Sequence, residues 1–185
     1  MSDDTMGPIA AAGLLPTEEQ HRALLQSVVD TARAIFRARA ASVFLHDAAS
    51  DALVFEAVSG EGQRDLIGTR LPSSTGIAGF VLVTRQLLVV DDLSSDPRFA
   101  RTAAEATGYV PSAIASVPLL ADDRVLGVLS VLDRAGDRPF GVEETDLLTL
   151  FARQAAIGLD LLASGRRARR IVETGDDRVA VVARL

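Results

Sequence analysis

Apolar residues near the middle of the chain form two runs separated by a short polar group. The runs span residues 113–120 and 125–132, and Asp122, Asp123 and Arg124 form the polar boundary between them. Two such runs, rich in β-branched side chains, predict a β-hairpin with a short loop. Neither run alternates between apolar and polar positions, so both faces of the hairpin need a cover. We therefore predict that these strands lie at the centre of a sheet covered on both sides.

Strict alternation along these two strands assigns their side chains to two faces. In the first strand, one face carries Ala115, Val117 and Leu119, and the other carries Ile114, Pro118 and Leu120. In the second strand, Val125, Leu129 and Val131 oppose Leu126, Val128 and Leu132.

A long helix is predicted at each end of the domain. Thr17 and Gln20 enclose two glutamates, which predicts a capped helix start, and apolar residues at spacings of three and four extend this helix to about Arg39. The last helix is predicted over residues 142–163 and carries two apolar stripes, whereas a single domain buries one, so the second stripe predicts a partner helix. One stripe is Leu147, Leu150, Phe151, Ile157 and Leu161; the other is Leu148, Ala152, Ala155, Leu159 and Leu162.

Shorter elements are predicted between these helices. In chain order they are a hairpin over 41–47 and 52–59, a loop over 60–74, a helix over 75–84, a strand over 87–90 and a helix from Asp96 to about Thr107, which Gly108 ends.

The length of 185 residues accommodates one ordinary domain. We predict a leader over residues 1–16, a domain over 17–164 and a basic, then mixed, tail over 165–185. The arginines of 166–170 are expected to complement the negative end of the last helix. The N-terminus opens with acids rather than a basic signal region, and no uninterrupted apolar run approaches about 20 residues. We therefore expect a cytoplasmic protein without a membrane span.

Composition excludes several kinds of chemistry. The chain has no cysteine, which rules out disulfides, thiol catalysis, cysteine-ligated metals and thioether-linked chromophores. Its formal net charge of -6 makes nucleic acid an unlikely partner, because such proteins need a basic surface.

The order of the predicted elements and several motifs resemble a GAF domain over about residues 18–163. The motifs are GIAGFV at 76–81, LLVVDDLSSDPRF at 87–99, SAIASVPLLADDRVLGVLSV at 112–131, Phe140, and LLTLFARQAAIGL at 147–159. The resemblance implies an α+β, PAS-like fold. A central antiparallel sheet would carry the long terminal helices on one face, with small helices and loops over a pocket on the other.

The resemblance also implies a function and a set of pocket residues. Such domains commonly dimerise through their terminal helices, so we expect a sensory, regulatory homodimer with an unidentified small-molecule ligand and a signalling or output partner. The sequence has no assembled nucleophile, metal set or phosphate loop, so we expect no enzymatic activity. The positions where relatives touch their ligands are Ser42, Phe44, Val58, Ser59, Ile77 and Ala78, and the roof of the pocket would be formed by Phe99, Tyr109 and Ser112. Tyr109 combines an apolar ring with a polar tip suited to the edge of a ligand.

The resemblance does not identify the ligand or cofactor. Cyclic-nucleotide-binding relatives carry an Asn-Lys pair, a Phe and an Asp-Glu pair, and the matching positions here are Asp133 with Arg134, Phe140, and Glu144 with Thr145, so the Asn and the Asp are absent. Arg134 and Glu144 are still expected to form a salt bridge. Haem would rest on His46 or His21, neither of which has a second ligand at metal spacing. The alternative to a sensor is a ligand-free GAF domain that serves as a dimerisation scaffold.

Overall fold

The computed structural model describes residues 17–61, 66–136 and 139–182, and gives the last helix at residues 166 and 168–182 by its backbone alone. The helices are α1 (Glu18–Ile35), α2 (Gly76–Thr84), α3 (Arg101–Ala106) and α4 (Val142–Val182). The strands are β1 (Ala38–Asp47), β2 (Ala52–Gly60), β3 (Arg70–Pro72), β4 (Leu88–Val90), β5 (Ile114–Ala121) and β6 (Arg124–Arg134).

The described strands form one antiparallel sheet in the order β3-β2-β1-β6-β5-β4. Strands β5 and β6 are the hairpin predicted from the two apolar runs, and both have a neighbour on each side. The predicted α+β architecture, a central antiparallel sheet with flanking helices, is therefore confirmed.

Helices α1 and α4 cover one face of this sheet. The capping box predicted at Thr17 is present and begins α1. Leu25 and Val29 of α1 pack with Leu148 of α4 and Leu129 of β6 in one core of buried side chains. Most of the other stripe of α4 stays open: Leu147, Leu150, Ile157 and Leu161 are 47%, 61%, 50% and 67% exposed. Its fifth member, Phe151, is partly buried against the core. The two stripes predicted for the last helix therefore have the predicted unequal burial.

One prediction about the hairpin is wrong, because a bulge changes the alternation near its turn. The register pairs Leu119 with Gly127 but Leu120 with Val125, which leaves Leu126 as an extra residue. Leu126 consequently packs against the helix-covered core, and Val125 packs on the opposite face. Strict alternation had assigned these two residues the other way round.

Several element boundaries also differ from the predictions. Helix α1 ends at Ile35 rather than near Arg39, because Phe36 caps it and Arg37 turns the chain with φ of 50°. The predicted loop over 60–74 contains β3. Helix α3 begins at Arg101, since Asp96 forms a turn instead, its Oδ1 accepting the backbone N–H of Arg98 at 2.9 Å.

The last helix is longer than predicted and continues from Val142 to Val182. The arginines of 166–170 therefore lie within α4, so the interpretation that they complement the end of the helix is wrong. The predicted leader over residues 1–16 lies outside the described residues, and the division of the chain at residues 164 and 165 stays a prediction.

Residues Val142–Gly165 of α4 are long and apolar enough to cross a membrane by length and composition alone. A search for uninterrupted apolar runs does not find this segment, because charged residues such as Arg153 interrupt it. One side of the segment is buried in the core, where Leu148 and Ala152 are 0% exposed. A core helix of a soluble protein passes the same test, so the property is weak evidence for a membrane span.

Candidate ligand cavity

A cavity of about 600 Å³ lies on the sheet face opposite α1 and α4. Strands β1, β2 and β6 supply its floor, α2 and α3 contribute to its walls and roof, and β3 adds Leu71 at the side. Small side chains leave the space open: Ala40 and Ala41 lie on β1, and Ala103 and Ala104 on α3. This volume is within the usual range of small-molecule pockets, about 300–1,000 Å³.

Seven of the nine predicted site residues line this cavity. They are Ser42, Phe44, Val58, Ile77, Ala78, Phe99 and Tyr109. Whether they bind a ligand stays a prediction.

The placement of Ser59 and Ser112 at the cavity is wrong. Adjacent residues of a strand point to opposite faces, so Val58 faces the cavity while the Ser59 hydroxyl donates to Asp30 Oδ1 on α1 at 2.6 Å. Ser112 is exposed and uses its backbone N–H, which donates to Asp133 Oδ1 at 2.9 Å.

Three buried serines form a row across adjacent strands, and two of them, Ser42 and Ser130, line the floor of the cavity. Ser42 of β1 pairs in register with Ser130 of β6, which pairs with Ser116 of β5. The Ser116 and Ser130 hydroxyls hydrogen-bond each other at 2.7 Å. Ser42 is only 6% exposed, and its hydroxyl has no hydrogen-bond partner within the described part of the chain.

The N-terminus of α2 also lies at the cavity wall. Gly76, Ile77 and Ala78 form its first turn and line the cavity, and the side chain of the N-cap residue Thr75 makes no capping hydrogen bond. The first N–H groups of a helix have no intrahelical acceptor, so this end offers backbone donors and a partial positive charge.

Aromatic rings form the apolar parts of the site. The rings of Phe44 and Phe55 pack with centroids 3.9 Å apart, and both residues line the cavity. Phe99, from the segment before α3, packs against the cluster of Ile77, Leu93 and their neighbours.

Tyr109 is held by a carboxylate that the sequence analysis did not place in the site. Its hydroxyl donates to Asp133 Oδ2, while Asp133 Oδ1 accepts the backbone N–H groups of Ser112 and Ala113 at 2.9 and 2.8 Å. Burial and the hydrogen bond to Asp133 raise the pKa of Tyr109 above its ordinary value. The polar tip expected to meet a ligand instead anchors the segment beside α3 to the end of β6. The sequence offered one signal for this role, because Asp133 is an acid that directly follows the apolar run of β6.

Arg134, the next residue, connects β6 to the start of α4. Its Nη2 lies 2.8 Å from Glu144 Oε1, and its guanidinium carbon lies 5.5 Å from the ring centre of Phe140. The predicted salt bridge between Arg134 and Glu144 is therefore confirmed.

In the described ranges, no cluster of three His, Asp or Glu side chains has the arrangement of a metal site. His21 is buried in α1, and His46 Nε2 lies 3.4 Å from Asp51 Oδ1 at the β1–β2 turn. Neither histidine lines the cavity.

Comparisons with known proteins agree on the fold. The second GAF domain of DevS from Mycobacterium smegmatis superposes with a TM-score of 0.66 at 25% identity, covering 80% of this chain and 99% of that domain. The GAF domain of a phosphoenolpyruvate-protein phosphotransferase from Coxiella burnetii gives 0.70 at 19% identity, covering 90% and 98%.

A curated relative is the probable 3',5'-cyclic phosphodiesterase pde-5 of Caenorhabditis elegans, 28% identical over 149 residues. The match covers 74% of this chain but about a fifth, 20%, of that protein. The family model for the GAF domain matches residues 20–159, most of the described sheet and helices. The chain therefore belongs to the GAF domain family, whose members act as ligand-binding domains in signalling proteins.

Proposed function

We propose that this chain is a cytoplasmic sensory domain that binds a small molecule in the cavity and signals through a dimer of its long helices. The observation that carries the proposal is the 600 Å³ cavity, bordered by most of the residues that the family resemblance selected. GAF domains occur in proteins similar to this chain, which include DevS of Mycobacterium smegmatis and a probable 3',5'-cyclic phosphodiesterase.

A regulatory role, rather than catalysis, fits the chemistry of the cavity. Its described lining contains hydroxyls, backbone donors and aromatic rings, with Glu61 as the carboxylate. A nucleophile next to a general base would be needed for hydrolytic chemistry, and no serine and histidine come together along this lining.

The exposed stripe of α4 supports dimerisation through α1 and α4. Leu147, Leu150, Ile157 and Leu161 recur at the spacing of a heptad seam, with Gln154 at the intervening position. Such a seam buries its apolar side chains when it pairs with a second helix. Ile35 at the end of α1 is also 47% exposed and extends the apolar surface that needs cover.

The contacts at the end of β6 suggest how occupancy would reach the dimer. Asp133 accepts hydrogen bonds from the cavity roof, and its neighbour Arg134 pairs with Glu144 on α4. A ligand that shifts the roof would therefore move two adjacent residues, one of which is tied to the helix of the proposed interface. The output protein would be the partner that reads this movement.

A thermal-shift screen of metabolites tests ligand binding, with a filled cavity as the control. Ala104→Phe places a ring into the cavity from α3, whereas Thr102→Phe adds the same ring at an exposed position of α3 that does not line it. If the chain is a sensor, a metabolite should raise the melting temperature of the wild type and of Thr102→Phe but not that of Ala104→Phe. Equal behaviour of all three proteins across the screen would favour the ligand-free scaffold.

Sedimentation analysis tests the dimer. Leu150→Glu places a charge in the exposed stripe and should yield monomers, whereas Val83→Glu, at a 69% exposed site on α2, should leave the dimer intact. A wild-type protein that sediments as a monomer at all accessible concentrations would contradict the dimer.

A further inference from the structure

The polar groups of the cavity define a ligand class, an inference that rests on the proposed function of the cavity as a ligand site. The most informative group is the Ser42 hydroxyl. Ser42 is 6% exposed and lines the cavity. Its hydroxyl has no protein partner among the described residues. A buried hydroxyl without a partner is costly, so most such groups in folded proteins are satisfied.

The neighbouring serines do not satisfy Ser42. Ser130 lies opposite it in the register, but the Ser130 hydroxyl already bonds Ser116 at 2.7 Å on the far side. This arrangement leaves Ser42 at the open end of the row, able to donate to or accept from a molecule above the floor.

The charges around the cavity determine the second property of the ligand. No arginine, lysine or histidine is among the described lining residues, and Glu61 supplies a negative charge at an exposed position. The N-terminus of α2 contributes a partial positive charge of about half an elementary charge. That end suffices for the oxygen of a neutral carbonyl. A phosphate or carboxylate would lose its hydration without gaining a cationic partner among the described lining residues.

Much of the remaining lining is apolar, and Thr69, Thr75 and Thr107 add further hydroxyls. The rings of Phe44, Phe55 and Phe99 and the side chains of Ile114 and Leu132 surround the space beside Ser42. We infer that the cavity selects an uncharged, largely apolar small molecule that exchanges a hydrogen bond with Ser42 on the floor.

Three naphthalene probes separate these properties, because they share a ring and differ in one group. Naphthalene has no hydrogen-bonding group, 2-naphthol has a neutral hydroxyl, and 2-naphthoate carries a negative charge at neutral pH. The protein has no tryptophan, so naphthyl fluorescence can be titrated directly against it. We expect 2-naphthol to bind most tightly, naphthalene more weakly and 2-naphthoate weakest.

Ser42→Ala tests the hydrogen bond itself. It should weaken 2-naphthol about three- to tenfold, the usual range for one hydrogen bond, and leave naphthalene unchanged. Ser42→Thr retains a hydroxyl and should restore 2-naphthol binding. Ser59→Ala, on the opposite face of the sheet, should leave both affinities unchanged.

The outcomes distinguish this inference from the proposed function. Tightest binding by 2-naphthoate, or a 2-naphthol affinity that Ser42→Ala does not change, would overturn the inference while retaining a ligand cavity. Binding of any probe that persists undiminished in Ala104→Phe would place it outside the cavity and also overturn the inference. The metabolite screen tests the proposed function independently of these probes.

Discussion

The two faces of the sheet are built from alternate residues of the same strands, yet they differ sharply in packing. Under α1 and α4, Val43, Val117 and Leu129 are at most 2% exposed and belong to one continuous core. On the opposite face, Ser42 and Ser130 border a cavity of about 600 Å³. The comparison shows that period-two alternation separates a stabilising face from a face available for recognition.

Truncating one leucine on each face of β6 should give the largest contrast. Leu129→Ala removes a fully buried side chain from the helix-covered core and should cost about 2–5 kcal/mol of unfolding free energy. Leu132→Ala removes a partly buried side chain that already borders the cavity, so about 1–2 kcal/mol is expected. Urea denaturation measures both. Equal losses would mean that the cavity face is as tightly packed as the other.

Removing the Asp133 carboxylate tests how the cavity roof is held. Asp133→Ala leaves the Tyr109 hydroxyl and the N–H groups of Ser112 and Ala113 without their acceptor, and should cost about 1–3 kcal/mol. Asp133→Asn retains an acceptor and tolerates the local φ of 46°, so it should cost less. Hydrogen exchange should localise the loosening to residues 107–113. A loss spread evenly over the sheet would contradict this role.

Alkaline titration tests the same anchor through Tyr109. Its pKa is raised in the folded protein above the ordinary 10.0, so the protonated hydroxyl is favoured by folding. This contribution is fully present below pH 10.0 and is lost as the pH rises through the higher folded value. Tyr109 is the single tyrosine, so phenolate absorbance reports it alone. Tyr109→Phe should flatten the fall of stability that begins at pH 10.0, and ionisation at the ordinary pKa would refute the anchor.

Replacing two buried serines should change the free energy of unfolding by smaller amounts, with a loss at one serine and no loss at the other. Ser59→Ala removes the hydroxyl that donates to Asp30 at 2.6 Å beneath α1, and should cost about 1–2 kcal/mol. Ser42→Ala removes an unpartnered hydroxyl in the cavity, and should leave the stability of the ligand-free protein within about 0.5 kcal/mol or raise it. Thermal unfolding compares the two variants. A larger loss for Ser42→Ala would reveal a partner that the ligand-free fold supplies.

The smallest effect is expected at the edge where β3 forms the side of the cavity. The hydrogen bond from Arg70 and those from Ser50 and Ala49 lower the pKa of Asp47 to about 2. The associated stabilisation is present above the ordinary 3.8 and is lost as the pH falls through about 2. Arg70→Ala should raise the Asp47 pKa toward 3.8 with little change in stability at neutral pH. A carboxyl-detected NMR titration that finds no rise would remove Arg70 from this role.

Sequence patterns predicted the elements well because long apolar runs and stripes reflect burial directly. They predicted the central hairpin and the unequal burial of the two stripes of α4. They failed at Val125 and Leu126 because a bulge adds one residue and reverses the alternation, which the apolar pattern does not record.

Candidate site residues were predicted less completely, for reasons that differ from residue to residue. Val58 and Ser59 were both predicted to face the cavity, but adjacent residues of a strand point to opposite faces, and Val58 occupies the cavity face. The role of Asp133 depends on three donors from residues 109–113, which only the folded chain brings to it. The open space itself arises from small side chains such as Ala40 and Ala104, whose significance appears once the roof is in place.

Native mass spectrometry of the protein purified from cells tests the central claim most directly, which is that the cavity face holds a small molecule. We expect a dimer with additional mass for the wild type and for Thr102→Phe, and a dimer without additional mass for Ala104→Phe. A wild-type protein without additional mass, or additional mass retained by Ala104→Phe, would contradict this claim.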